Sequence, residues 1–150
     1  MTSRVPIVLA SLLAAGAYCA LALGAAGPVT FKDVTAAAGI AFTQNNGAFG
    51  GKYFPEELGS GALFLDFDSD GWQDLLLVNG KNWPGHPGPK TTAALYRNRG
   101  NGTFQNLTNG SGLDVELYGV GGAVADYDDV GRVDVFITAY GGGHLFRNLG

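Results

Sequence analysis

Residues 66–74 read DFDSDGWQD, and residues 126–134 read DYDDVGRVD. The first stretch carries acids at alternate positions and again at its end: Asp66, Asp68, Asp70 and Asp74. The second keeps Asp126, Asp128 and Asp134 in register but has Val130 where the first has Asp70. Laid over one another, 59–74 and 119–134 also match Gly59 with Gly119, Gly61 with Gly121 and Gly71 with Gly131, and pair Phe67 with Tyr127. Self-similarity of this kind asks for one structural unit per copy.

The match extends outward from the loops. LYRNRG at 95–100 resembles LFRNLG at 145–150, and KNWPGHPGPK at 81–90 accounts for the longer spacing in the first copy. FKDVTAAAGI at 31–40 resembles FQNLTNGSGL at 104–113. GALFLDFD and LLLVNG are nearly continuous apolar runs bounded by glycine, which predicts short strands covered on both faces. AALYRN and TFQNLT flank Asn101-Gly102, the dipeptide that favours a tight hairpin turn. Each unit is therefore expected to be a four-stranded meander, the first over about 59–108 and the second, truncated before its fourth strand, over about 119–150. Repeated four-stranded units predict an all-β fold made of β-propeller blades, with this chain holding an incomplete propeller. Two blades leave faces and edges open, so further blades are expected beyond residue 150. A strand near 30–35 is expected to be an orphan that closes the ring.

Alternating acids before a glycine suit calcium, which takes six to eight oxygens from a tight loop. Asp66, Asp68 and Asp70 offer carboxylates, Gly71 permits the bend, the Trp72 carbonyl adds an oxygen and Asp74 closes the cage. Without a cation these carboxylates repel one another. An EF-hand would need a glutamate where Leu77 stands and a helix on each side, so that reading fails. In the second loop Asp126, Asp128 and Asp134 are in place, Val130 brings no side-chain oxygen and Asp129 is one position out of phase. One calcium is expected in the first loop; the second stays open between a weakened site and an empty one.

The formal net charge is −4, and eight of the thirteen acids lie in these two loops. Acidity so concentrated speaks of cations, and nothing forms the basic stripe that nucleic acid binding needs. Arg4 is the only charge before Lys32, and an apolar run from Val5 to Leu13 leads into small residues. That pattern predicts a secretory signal over 1–26, cleaved somewhere in 22–26, followed by the repeat region at 27–150 and a secreted or cell-surface location. Membrane contact is then limited to the signal, or to a lipid on Cys19, which Tyr18 disfavours. With Cys19 removed no disulfide is available, and metal is the alternative staple.

The residues carrying these motifs, 50–80, 95–108 and 119–150 together with FKDVTAAAGI, resemble the FG-GAP or VCBS-type repeat proteins, whose integrin-α relatives are seven-bladed propellers. The likeness is greatest to the cartilage acidic protein and ASPIC/UnbV branch. It implies calcium in the loop between the first two strands of each blade, held by Asp66, Asp68, Asp70 and Asp74 and by Asp126, Asp128 and Asp134. It also implies an exported, non-enzymatic interaction or adhesion scaffold whose partner is an extracellular protein or a glycan.

Two rival readings remain. A carbohydrate-binding module would use Trp83, Tyr118 and Tyr140 for stacking. LFLDFDSDG also resembles the D-x-D start of magnesium-dependent phosphatases, with Asp66 as nucleophile and Asp68 as acid/base. A duplicated nucleophile and the absence of helix-rich sequence between the strands count against catalysis. Trp83 and His86 fall in a Pro/Gly-rich surface loop, and Glu56 and Glu57 follow Pro55 with no role fixed by sequence.

Overall fold

Both repeats fold as antiparallel meanders in the computed structural model, which describes residues 27–150. The stretch read as a signal, 1–26, lies outside the described residues. The first sheet runs β1 (Ala62–Leu65), β2 (Asp74–Leu77), β3 (Ala94–Asn98) and β4 (Phe104–Asn106), in that spatial order. The second runs β5 (Gly119–Ala125), β6 (Asp134–Ala139) and β7 (Gly142–Phe146). The only helix among the described residues is one turn, α1 (Phe54–Glu57), entered through Pro55. The fold is an incomplete β-propeller of two successive blades.

The sequence reasons for these strands are local. In β1–β2 and β5–β6 the acid loop reverses the chain, with Gly71 and Gly131 in the left-handed region at φ 88 and 81. Ser69 and Asp129 share that region at φ 59 and 56, so the two loops follow the same backbone path. Aspartate tolerates this conformation better than most residues, which gives the out-of-phase Asp129 a structural reason. Asn101-Gly102 turns β3 into β4 as expected. The insert around Trp83 separates β2 from β3, whereas Tyr140-Gly141 alone joins β6 to β7.

One core lies between the blades. Leu65, Leu76, Val78 and Leu95 from the first repeat, with Leu113 from the segment that follows it, meet Val135 and Ile137 of the second. A second, smaller cluster of Leu75, Ala94 and Tyr96 covers the opposite face of the first sheet and is closed by Ile40 and Phe42. Leu113 and Ile40 are matched residues of the two FQNLTNGSGL-like segments, and each fills the face of the blade that follows it. The expectation of strands buried on both faces holds for β2 and fails for β1. Leu65 is buried, but Phe64 is 64% exposed, because little packs on that side of the first strand.

Residues 27–33 are exposed and carry no strand. The orphan strand expected near 30–35 has no partner edge among the described residues. A strand needs a partner edge, and the next residues make a turn instead, with the Ala38 amide donating to the Val34 carbonyl.

The matched glycines have a packing cause. A Cβ on Gly61 would lie 2.8 Å from the Cα of Gly121, where β1 and β5 approach. Backbone atoms cannot swing aside, so Gly61→Ala is expected to destabilise the domain by roughly 1–3 kcal/mol. A fall in the urea midpoint, followed by circular dichroism, checks this.

Candidate metal centre

Each acid loop gathers three carboxylates. In the first, Asp66, Asp68 and Asp74 each place an oxygen within 4.8 Å of the others; in the second, Asp126, Asp128 and Asp134 do the same. Two ligands on one calcium, each about 2.4 Å away, are separated by no more than about 4.8 Å. The spacing thus fits one hard cation per loop.

The loops build this arrangement in the same way. Asp66 accepts the Asp70 and Gly71 amides on its two oxygens (both 3.0 Å), and Asp126 accepts those of Val130 (3.0 Å) and Gly131 (2.7 Å). Asp74 accepts the Phe67 amide (3.1 Å) and the Asn98 amide (2.7 Å). Asp134 accepts the Tyr127 amide (3.2 Å) and the Asn148 amide (2.6 Å). The ninth-position acid is thus a brace as well as a candidate ligand, tying the loop to the segment at the end of the third strand. A carboxylate oxygen that accepts one amide keeps a second lone pair for a metal.

Asp70 lies outside the group of three. Its Oδ1 accepts the Trp72 amide (2.9 Å) and its Oδ2 pairs with Arg97 (3.0 Å). Val130, the departure in the second loop, therefore stands at a position that the first cluster does not use. Trp72 follows Gly71, with its half-exposed ring lying over Gly100.

Two pairs of residues escaped the sequence reading although they stand at matched positions. Arg97 contacts Asp68 at 2.6 Å, and Arg147 contacts Asp128 at 2.6 Å. Asn98 donates its side-chain amide to the Gln73 carbonyl (2.9 Å), and Asn148 donates to the Val133 carbonyl (3.2 Å). Asn148 also reaches the Phe67 carbonyl of the other loop at 2.8 Å, linking the two blades. LYRN and LFRN were visible as a repeat; what the Arg and Asn do there was not.

The electrostatics differ between the loops. Burial pushes the Asp74 carboxyl above its ordinary range, with a further push from the charges of Asp68 and Asp70, against the pull of the Asn98 and Phe67 amides. At Asp126 burial also works upward, but the Gly131, Val130 and Asp129 amides and the Asp128 side chain outweigh it and hold the carboxyl low. The hydrogen bond that Arg97 donates to Asp70 and the charge of Asp68 raise Arg97 above its ordinary value, so it remains a full cation. One observation bears directly on fit: Asp128 Oδ1 is buried and has no hydrogen-bond partner. An unpaired carboxylate oxygen beside two further carboxylates suits an oxygen-seeking cation.

Residues 66–137 match the model of the FG-GAP-like repeat. The match runs from the first acid of loop one into β6, so it takes in both carboxylate clusters. No curated protein matches the chain. The two clusters occupy corresponding loops of consecutive blades, each between the first and second strands of its sheet.

Proposed function

We propose that this chain is part of an exported, calcium-stabilised β-propeller that acts as a non-catalytic interaction scaffold. The observation that carries the reading is the pair of three-carboxylate clusters, built alike at the same end of two successive blades. Calcium there would tie the first two strands of each blade to the segment following the third, through Asp74 and Asp134. That is the service a disulfide gives elsewhere, and beyond Cys19 the chain has no cysteine.

A longer array of blades is supported by the outer face of the second sheet. Phe136 and Leu145 correspond to Leu76 and Leu95, which are buried between the blades at 0% and 5% exposure. Phe136 and Leu145 themselves are 40% and 52% exposed. A third blade would cover that face as the second covers the first. Export rests on the apolar N-terminal sequence; no helix among the described residues is long and apolar enough to cross a membrane. FKDVTAAAGI, which lies before the matched repeat, supports the ASPIC/UnbV branch.

The phosphatase alternative has less support. Asp66, its would-be nucleophile, spends both oxygens on loop amides, and Asp126 repeats the arrangement. A loop-bracing carboxylate repeated in both blades suits a repeated cation site, whereas a single catalytic centre asks for no second copy.

Thermal melting of the full chain with calcium and with a chelator tests the proposal. At a calcium concentration a hundred times the dissociation constant, each occupied site is expected to stabilise the fold by about 2.7 kcal/mol. Identical melting curves under both conditions would contradict it.

A further inference from the structure

The ends of the sheets away from the acid loops carry a separate feature. Trp83 sits in the loop between β2 and β3, Tyr118 just before β5, and Tyr140 in the turn between β6 and β7. In an antiparallel meander these connections lie at the end opposite the β1–β2 and β5–β6 loops. Trp83 is the hub of an aromatic cluster, with ring centroids 4.8 Å from Tyr118, 5.4 Å from Tyr140 and 5.2 Å from Tyr53. Tyr140 and Tyr53 are 65% and 50% exposed, so the cluster presents ring surface to solvent.

A polar cavity of about 360 Å³ adjoins it, lined by Gln44, Asn46, Glu56 and Glu57. Asn46 joins the two features: it lines the cavity, its side chain donates to the Glu56 carbonyl (3.0 Å), and its carbonyl accepts the Tyr118 hydroxyl. The Glu56 charge also lies close enough to add to the burial that raises the Tyr118 phenol above its ordinary value. Two buried polar atoms here have no hydrogen-bond partner, the acceptor Glu56 Oε1 and the donor Trp83 Nε1.

We propose that this aromatic cluster and its polar cavity form a binding site for a neutral oligosaccharide. The chemistry is specific. The C–H face of a sugar ring carries partial positive charge and sits well on the negative face of an aromatic ring. Hydroxyls both donate and accept, so a sugar suits a cavity lined by the amides of Gln44 and Asn46 and the carboxylates of Glu56 and Glu57, and a few polar groups beside apolar walls are the usual form of such sites. An ammonium ligand could only donate. The rings also pack on one another, leaving a platform rather than the open cage that a quaternary cation requires. This site gives the scaffold a ligand class, and the inference rests on that reading of the chain.

The test uses the full chain carrying Trp72→Phe, which leaves Trp83 as the only indole. Cellohexaose, maltohexaose and chitohexaose are titrated while Trp83 fluorescence and heat are recorded. At least one is expected to bind saturably. Tyr140→Ala, at an exposed position, is expected to weaken that binding about tenfold, and the exposed Glu57→Gln should weaken it to a smaller extent. Binding to none of the three, or binding that neither substitution changes, would overturn the proposal. Saturable binding of tetramethylammonium chloride, lost with the same substitutions, would also overturn it in favour of a cation site. Calcium loading of each sample is measured alongside: a chain that loads calcium and ignores all three sugars overturns this inference and leaves the calcium scaffold standing.

Discussion

Asp74→Ala is expected to destabilise the calcium-free domain by about 2–5 kcal/mol, with Asp134→Ala of similar size. Both side chains are buried, at 0% and 1% exposure, and each carboxylate accepts two backbone amides. Alanine leaves both donors without a partner, and each such loss costs roughly 1–3 kcal/mol. Asp74→Asn keeps one acceptor oxygen and turns an NH₂ toward the other donor, so an intermediate loss is expected. Charge matters too. Burial places the folded-state pKa of Asp74 above its unfolded value. The ionised group therefore opposes folding at neutral pH, and that cost is lifted as pH falls through the raised value. A bound cation would lift it at neutral pH. Urea midpoints with and without calcium check both statements, and an Asp74→Ala variant as stable as the parent would contradict the brace.

Tyr96→Ala is expected to cost about 3–5 kcal/mol, the usual loss for emptying a large buried aromatic site. Tyr96 is fully buried in the cluster that Ile40 and Phe42 close. Its hydroxyl donates to the Ala41 carbonyl (2.7 Å) and accepts the Ala41 amide (3.2 Å). Tyr96→Phe keeps the ring and leaves both Ala41 groups unpaired, for an expected loss of about 1–3 kcal/mol. The two variants separate packing from latching. In Tyr96→Phe, hydrogen exchange should accelerate at Ala41 and Asn45 before it does so in β2. Unchanged exchange there would show that the segment around Ala41 is held by Ile40 and Phe42 alone.

The strands and the acid loops were legible because they repeat. Gly61 and Gly121, Gly71 and Gly131, and the paired acids stood in register, and the structure gives each match a common geometry. The Asn101-Gly102 turn was legible from local backbone chemistry alone. Residues 30–35 carry no strand here because strand formation depends on a partner edge, and none stands beside them among the described residues. Their match to 104–113 persists instead in packing, with Ile40 and Leu113 serving neighbouring blades. The roles of Asp70, Arg97 and Asn98 were hidden for a related reason. Alternation proposes which acids point inward, but the salt bridges of Arg97 to Asp68 and Asp70 arise only once β3 lies beside the loop. Trp83, Tyr118 and Tyr140 are far apart in sequence and meet only because the meander brings their connections to one end.

Calorimetric titration of the full chain with calcium, after chelation and with circular dichroism on the same sample, tests the central claim most directly. Two ions per chain are expected, since Val130 replaces a residue that the first cluster does not use. Asp68→Ala and Asp128→Ala should each remove one ion, and Val130→Asp should leave the count at two. A folded chain that binds no calcium would contradict the account.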